Sequence, residues 1–173
     1  MSNKAQLAAI TKRLKKYAEK DIPAATRTAV NQTVKMAKTR VIKAVSKQAK
    51  VPPKQIRNRA VVKKAYGVSY AKLVINVKGV SLINLNPRKN KRGVRAYGRQ
   101  FNGAFMGRVK AGDGGLYKHV LYRQTKERAP LWLPRIPIKL ATKEVTPKII
   151  GRVFKSEFRK KYLHEINRRR SRG

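Results

Sequence analysis

The stretch GAFMGRVKAGDGGLYKHVLYRQTKERAPLWLPRIPI covers residues 103–138. It predicts a β-hairpin, around which the other elements of the fold are expected to be arranged. Residues that suit two strands lie on either side of a glycine-rich segment: Ala104, Phe105, Met106 and Val109 before it, and Val120, Leu121 and Tyr122 after it. That segment, Gly112-Asp113-Gly114-Gly115, is rich in glycine, which reaches positive φ at little steric cost. The chain is therefore expected to reverse there.

The segment that follows the hairpin is rich in proline, at positions 130, 134, 137 and 147. Each proline lacks a backbone donor and restricts the residue before it, so the chain after Arg128 is expected to be extended and irregular. Trp132 lies between Leu131 and Leu133 and is the largest apolar side chain of this segment. We therefore expect Trp132 to be buried and to hold the segment onto a core.

Apolar residues at helical spacing predict three amphipathic helices. The first covers residues 3–20, with a stripe of Leu7, Ile10, Leu14 and Tyr17. Asp21 is expected to cap a second helix that runs to about Lys50, with Pro23 tolerated in its first turn. A last helix is expected to begin at Thr146-Pro147 and to reach about residue 170. Its stripe is Ile150, Val153 or Phe154, Phe158, Tyr162 and Ile166.

Residues 61–78 alternate in hydrophobicity with one change of phase, which indicates a bulge or two shorter strands, and residues 80–85 suit another strand. Residues 86–99, NPRKNKRGVRAYGR, are expected to form a flexible basic loop broken by Pro87, Gly93 and Gly98. The chain is thus predicted to be a single α+β domain over residues 1–173. It comprises two N-terminal helices within residues 1–60, a central, mostly antiparallel β-sheet with the basic loop over residues 61–138, and a C-terminal helix over about 146–170.

Net charge says more about function than the rest of the composition. The chain has 45 lysines and arginines against 7 acidic residues, a formal charge of +38, and no acidic residue occurs between Ile22 and Gly112. Hydrophobic residues make up 41% of the chain, too many for a fully disordered basic tail. A free globule of this charge repels itself, so the composition indicates a polyanionic or strongly acidic partner.

Two sets of basic residues are the candidates for contact with nucleic acid or with an acidic partner. Lysine and arginine neutralise phosphates and release counterions, which gives strong, sequence-independent binding. No recognition helix that would read a base sequence is apparent. The candidates are Arg88, Lys89, Lys91, Arg92, Arg95 and Arg99 in the predicted loop, and Lys35, Lys38, Lys43 and Lys47 on the second helix.

Catalytic patterns are missing from the sequence. The acids are scattered, neither His119 nor His164 has the spacing of a metal ligand, and no nucleotide-binding glycine motif occurs. We therefore predict that the chain is not an enzyme and has no cofactor or metal site. The absence of cysteine fits a reducing cytoplasm, and no apolar run is long enough to span a membrane.

The order of the parts resembles the phage minor tail protein Z family, the tail completion proteins of long-tailed phages and prophages. The resemblance covers nearly the whole chain: two basic helices, then VPPKQIRNR at residues 51–59, the basic loop, GAF at 103–105, the 120–123 strand, and RIPI at 135–138 before a last helix. It implies a structural virion protein that completes the tail at its head-proximal end and is made in the host cytoplasm. It also implies a homo-oligomeric ring, expected to be a hexamer, beside the tail terminator, tail tube, head connector and viral DNA.

Composition alone favours a different interpretation, a sequence-independent nucleic-acid-binding protein that packages nucleic acid or associates with ribosomes. A third, less favoured interpretation is a nuclease or recombinase subunit with an unrecognised site. Co-purification with tails would favour the tail protein, and co-purification with RNA or ribosomes would favour the nucleic-acid-binding protein. Metal-dependent cleavage would favour the nuclease or recombinase subunit.

Overall fold

The computed structural model describes residues 3–66, 70–110, 112, 115–123 and 130–171, and within them the chain forms two compact units. The first unit comprises Met1–Val41, Val61–Val74 and Pro147–Gly173, and the second comprises Ile42–Ala60 and Ile75–Thr146. Each unit therefore draws on separate stretches of sequence. The single domain over residues 1–173 stays a prediction, because compact units can still unfold together.

The helices confirm the predicted α+β class. They are α1 (Asn3–Lys16), α2 (Ile22–Ala49), α3 (Pro53–Arg57), α4 (Lys139–Val153) and α5 (Arg159–Arg170). Wider π-helical turns cover Tyr17–Asp21 and Phe154–Phe158, so α1 runs into α2 and α4 runs into α5 without a break.

Asp21 does not cap a separate second helix, so that expectation is wrong. Ile22 is helical and its backbone N–H donates to the carbonyl of Tyr17, five residues back. Pro23 lacks the donor that a regular helix would need, and the wider turn just before it accommodates this loss. The break expected at Asp21 is therefore replaced by a bulged but continuous helix.

The last helix also begins earlier than predicted, at Lys139 rather than at Thr146, and Pro147 lies inside it. Lys143, whose carbonyl loses its helical partner to Pro147, is exposed to water. The predicted stripe is confirmed, because Val153 and Ile166 are buried. Phe154, Phe158 and Tyr162 form a ladder of stacked rings, with centroids 5.9 and 6.0 Å apart.

In the described part of the chain, ten short strands form four small sheets, and the strand pairs whose register is resolved are antiparallel, as predicted. They are β1 (Ala60–Lys63), β2 (Lys72–Ile75), β3 (Val80–Ser81), β4 (Arg88–Asn90), β5 (Gly93–Ala96), β6 (Arg99–Asn102), β7 (Phe105–Lys110), β8 (Leu116–Arg123), β9 (Leu131–Trp132) and β10 (Arg135–Ile136). The sheets are β1–β2, β3–β10, β4–β5–β6 and β7–β8–β9. Residues 61–78 thus form two shorter strands; Val68, which belonged to that prediction, lies outside the described residues.

The strand expected over residues 80–85 ends at Ser81 and continues as a 3₁₀ turn over Leu82–Leu85. Leu82 and Leu85 are both buried. Residues three apart share a face in a 3₁₀ turn but not in a strand, so burial of both residues favours the turn.

The hairpin from which the prediction began is confirmed. β7 and β8 pair antiparallel from Phe105–Leu121 to Lys110–Leu116. Gly112 lies in the turn between them, and Asp113 and Gly114 lie outside the described residues.

Burial of Trp132 was predicted wrongly, since 57% of this residue is exposed. Leu131 and Leu133 are exposed as well, whereas Ile136 and Ile138 are buried. The proline-rich segment is therefore held by its two isoleucines, and the short strands β9 and β10 replace part of the predicted irregular chain.

The core of the first unit lies between α2, the β1–β2 sheet and the π-helical turn after α4. Val30, Val34 and Ala65 are buried there, and partly buried side chains pack against them: Val62, Ala71, Leu73, Phe154 and Phe158. The Asn31 side chain fixes this arrangement at two points. Its amide donates to the Ala65 carbonyl at 3.1 Å and its oxygen accepts from the Ala65 backbone N–H at 2.8 Å.

Carboxylates join the last helical segments to α2 within the first unit. Glu157 accepts from Arg40 at 3.2 Å, and buried Glu165 accepts from Gln32 at 3.3 Å and from Arg168 at 2.7 Å. Burial by itself would raise the pKa of Glu165, but the hydrogen bond and charge of Arg168, the charge of Arg169 and the bond from Gln32 together lower it.

This lowered pKa predicts a pH-dependent loss of stability. A carboxyl whose pKa is lower in the folded state stabilises the fold above its unfolded pKa, and this contribution disappears as the pH falls through the folded value. Glu165→Gln is expected to reduce the free energy of unfolding by about 1.5–3 kcal/mol at neutral pH. Urea unfolding should show that the difference in free energy of unfolding between Glu165→Gln and the unaltered chain disappears in acid. Glu19→Gln, at an exposed position, is the control and should change the free energy of unfolding by less than about 0.5 kcal/mol.

The proline-rich segment offers a second test of the fold. Ile138→Ala is expected to lower the free energy of unfolding by about 2–5 kcal/mol, because Ile138 is fully buried. Trp132→Ala is expected to change it by less than about 0.5 kcal/mol, because the exposed ring leaves no cavity behind. Urea unfolding curves with equal slopes would check both values, and a larger loss for Trp132→Ala would contradict the exposed position.

Candidate anion-binding surface

Residues 86–99 form most of an ordered three-stranded antiparallel sheet, β4–β5–β6, so the predicted flexible loop is wrong. We call this sheet the meander. Its first turn is closed by the Asn90 side chain, which accepts from the Arg92 backbone N–H at 3.1 Å. Its second turn has positive φ at both Tyr97 (45°) and Gly98 (76°), the condition of the tight turns that suit hairpins.

Gly93 is required by the meander rather than being a breaker of structure. Its φ is 137°, and a Cβ atom placed there would lie 2.3 Å from the carbonyl oxygen of Phe101. The close approach of β5 to β6 therefore excludes any other residue. Val94 and Ala96 of β5 are buried and fix the inner face of the meander.

The register places Arg88 directly opposite Arg95 across β4 and β5, and both residues are exposed. Like charges in this position repel and destabilise the strand pair. Both residues line a cavity of about 310 Å³, together with Asn86, Tyr97 and Gly98. No carboxylate lines this cavity, and none exists between Ile22 and Gly112. A bound anion would relieve the repulsion.

The other basic residues proposed from the sequence differ in their surroundings. Lys89, Lys91 and Arg92 are exposed on the meander, as expected for a contact surface. Arg99 is half-buried and donates to the carbonyl of Ala49 at 2.9 Å. That carbonyl ends α2 and has no helical partner, so Arg99 has a structural role there.

The lysines of α2 are not brought to the cavity. Lys35, Lys43 and Lys47 are exposed and Lys38 is half-buried. Lys35 and Lys38 belong to the first unit, whereas Lys43 and Lys47 belong to the second unit, as the meander does. Of the ten residues predicted from sequence, Arg88 and Arg95 are thus the pair that shares a cavity.

Sequence reasoning missed Asn86 and Gly98 as parts of this site. Asn86 has φ 49°, and asparagine is among the few residues that adopt this left-handed conformation readily. An asparagine before Pro87, followed by basic strands, was the available signal. Tyr97 is exposed beside the arginines and supplies an aromatic wall.

A second cavity, of about 490 Å³, lies in the first unit. It is also basic, but it includes a carboxylate: Arg13, Leu14, Lys16, Tyr17, Asp21, Arg169 and Arg170 line it. Asp21 compensates part of its positive charge. The meander cavity is therefore the stronger candidate for an external anion.

The described residues were also compared with the requirements of a metal site and of a membrane-spanning helix. Among the described residues, no three histidine or acidic side chains are grouped so that they could hold a metal ion. Across the same part of the chain, no helix is long and apolar enough to cross a membrane.

Comparison with known proteins supplies the context of this surface. Residues 5–171 match the family described as prophage minor tail protein Z. A protein named "Tail completion protein" from Escherichia phage N15 is 31% identical over 147 residues, which cover 75% of this chain and 77% of that protein. No solved structure matches the chain. A family of structural tail proteins is consistent with the expectation that the chain is not an enzyme. With the family covering nearly its whole length, the chain belongs to the prophage minor tail protein Z family and is a structural protein of the phage tail.

Proposed function

We propose that the chain completes the phage tail at its head-proximal end and that the meander faces the DNA channel. The observation that carries the proposal is the Arg88–Arg95 pair, two exposed guanidinium groups placed opposite each other with no carboxylate near them in sequence. Guanidinium groups bind phosphate oxygens in planar pairs of hydrogen bonds. A phosphate of the DNA backbone would neutralise both arginines at once.

Contact with phosphates suits a channel, because DNA of any sequence must pass or rest there. Binding by counterion release does not depend on base sequence, and the exposed Lys89, Lys91 and Arg92 extend the positive surface around the arginine pair. The proposal therefore needs no base-reading element. It places the protein in the virion after synthesis in the host cytoplasm.

The salt dependence of binding tests this contact. Duplex DNA binding by Arg88→Gln/Arg95→Gln is expected to show a slope of log K against log salt that is shallower by about 0.9, because the two arginines share one phosphate and each lost phosphate contact removes about 0.9. Lys155→Gln/Lys160→Gln is the matched control; it removes the same charge from exposed positions of the first unit. Fluorescence anisotropy with a labelled duplex would measure both slopes.

Equal slopes for the two double variants would contradict the contact at the meander. Arg99 should remain unaltered in this series, because its bond to Ala49 is structural. If RNA or ribosomes were bound more tightly than duplex DNA and tails were not bound, the alternative would be favoured: a sequence-independent nucleic-acid-binding protein for packaging or ribosome association. The high net charge alone supports that alternative.

We further propose that the chain forms a ring on the tail, a hexamer, in contact with the tail terminator, the tail tube or the head connector. Six such chains repel one another, so the ring requires an anion in its channel or acidic partners beside it. The isolated protein is therefore expected to scatter light as a monomer or as a mixture of sizes at low salt, and as one closed ring only on tails. A stable ring of the pure protein at low salt would contradict this electrostatic requirement.

A further inference from the structure

Trp132 and Tyr122 form an exposed aromatic pair on the β7–β8–β9 sheet. The register places them opposite each other across β8 and β9, and places Met106 of β7 opposite Val120. Because paired residues and alternate residues of a strand share a face, Met106, Val120, Tyr122 and Trp132 lie on one face of the sheet, where Val120 is buried and the other three are exposed. Met106 and Tyr122 are each 41% exposed and Trp132 is 57% exposed. We call these three residues the aromatic face.

The aromatic face has the composition of an interface centre. Tryptophan, tyrosine and methionine are enriched in protein interfaces, and tryptophan and tyrosine most often supply the largest binding energies. Pro130 and Pro134 enclose the strand that carries Trp132. Each proline has a fixed φ, so the segment loses little conformational freedom when a partner binds.

The charged side chains on the three described strands of this sheet are all positive. Arg108 and Lys118 lie opposite each other on the same face and are exposed, and Lys110 continues the row on β7. None of the residues in β7, β8 and β9 is acidic. A partner that covers the face must therefore be acidic at its edge and apolar at its centre.

We propose that the aromatic face docks on an acidic protein surface of the phage tail, whose apolar centre receives Trp132 and whose carboxylates meet Arg108 and Lys118. The inference rests on the tail role proposed above and deepens it by naming the chemistry of one partner. It does not depend on the DNA contact, which involves different residues on a different sheet.

Charge and shape argue against two other occupants. A second copy of the chain carries the same +38 and would bring its own cations against Arg108 and Lys118. Duplex DNA keeps its bases stacked inside, where an exposed tryptophan does not reach them, and stacking on aromatic side chains is a feature of single strands.

The chain has a single tryptophan, so its fluorescence reports on this face alone. We would replace it with 7-azatryptophan, which can be excited apart from the tryptophans of other proteins. Addition of tails that lack this protein is expected to shift its emission to shorter wavelength as the ring leaves water. The Arg88→Gln/Arg95→Gln variant is expected to give the same shift, because tails without heads hold no DNA.

Co-sedimentation with the same tails measures the strength of docking. Trp132→Ala is expected to weaken binding about thirtyfold, the loss typical of a central aromatic residue. Arg108→Glu/Lys118→Glu is expected to weaken binding about tenfold through repulsion of the acidic partner. Leu140→Ala is the control for loss of exposed apolar surface, since Leu140 is 74% exposed on α4, and it should change binding less than twofold.

Several results would overturn the proposal. Binding of the unaltered chain to tails without an emission shift, or equal effects of Trp132→Ala and Leu140→Ala, would overturn this inference alone. A shift that appears on concentrating the pure protein would identify a second copy as the occupant, and a shift with a single-stranded oligonucleotide would identify nucleic acid. Failure of the unaltered chain to bind tails at all would overturn this inference and the tail role together.

Discussion

Positive charge without matching carboxylates is the constraint on which the described structure depends. The chain has 45 lysines and arginines and 7 acidic residues. Three of those acids are engaged inside the two units: Glu157 with Arg40, Glu165 with Arg168 and Gln32, and Glu144 with Gln48. These bonds hold helices together. The meander has no acidic residue in or near it in sequence, and neither of these two ion pairs between described residues involves one of its arginines.

The meander shows how a basic segment folds without ion pairs. Its backbone bonds, the Asn90 side chain, the tight turn at Tyr97–Gly98 and the small buried residues of β5 hold three strands together. The cost of placing Arg88 opposite Arg95 is repulsion in the free protein. Under the proposed function, a phosphate bound by both guanidinium groups would offset this repulsion. The aromatic face on β7–β9 is likewise a surface for which we propose a partner, but it is apolar where the meander is charged.

The sequence predicted the elements whose pattern is local and misjudged those that depend on distant contacts. The β7–β8 hairpin followed from alternation around glycines, and the stripe from Val153 to Ile166 followed from helical spacing. The sequence predicts a loop in place of the meander, because a glycine such as Gly93 can either break a strand or permit its close approach to a neighbour, here Phe101. Hydrophobicity predicts burial of Trp132, but it does not reveal which side of a two-residue strand faces solvent. The basic residues were found by composition, but the pairing of Arg88 with Arg95 required the register.

Chemical footprinting of the arginines in assembled particles would show whether DNA covers the Arg88–Arg95 pair of the meander. Arginine-specific modification of the free protein, of tails without heads and of DNA-filled virions would be compared by mass spectrometry, with Arg57 as an exposed reference outside the meander. If the meander faces the DNA channel, Arg88 and Arg95 react in the free protein and in tails, and are protected in DNA-filled virions. Equal reactivity of Arg88 and Arg95 in tails and in DNA-filled virions would contradict that position of the meander.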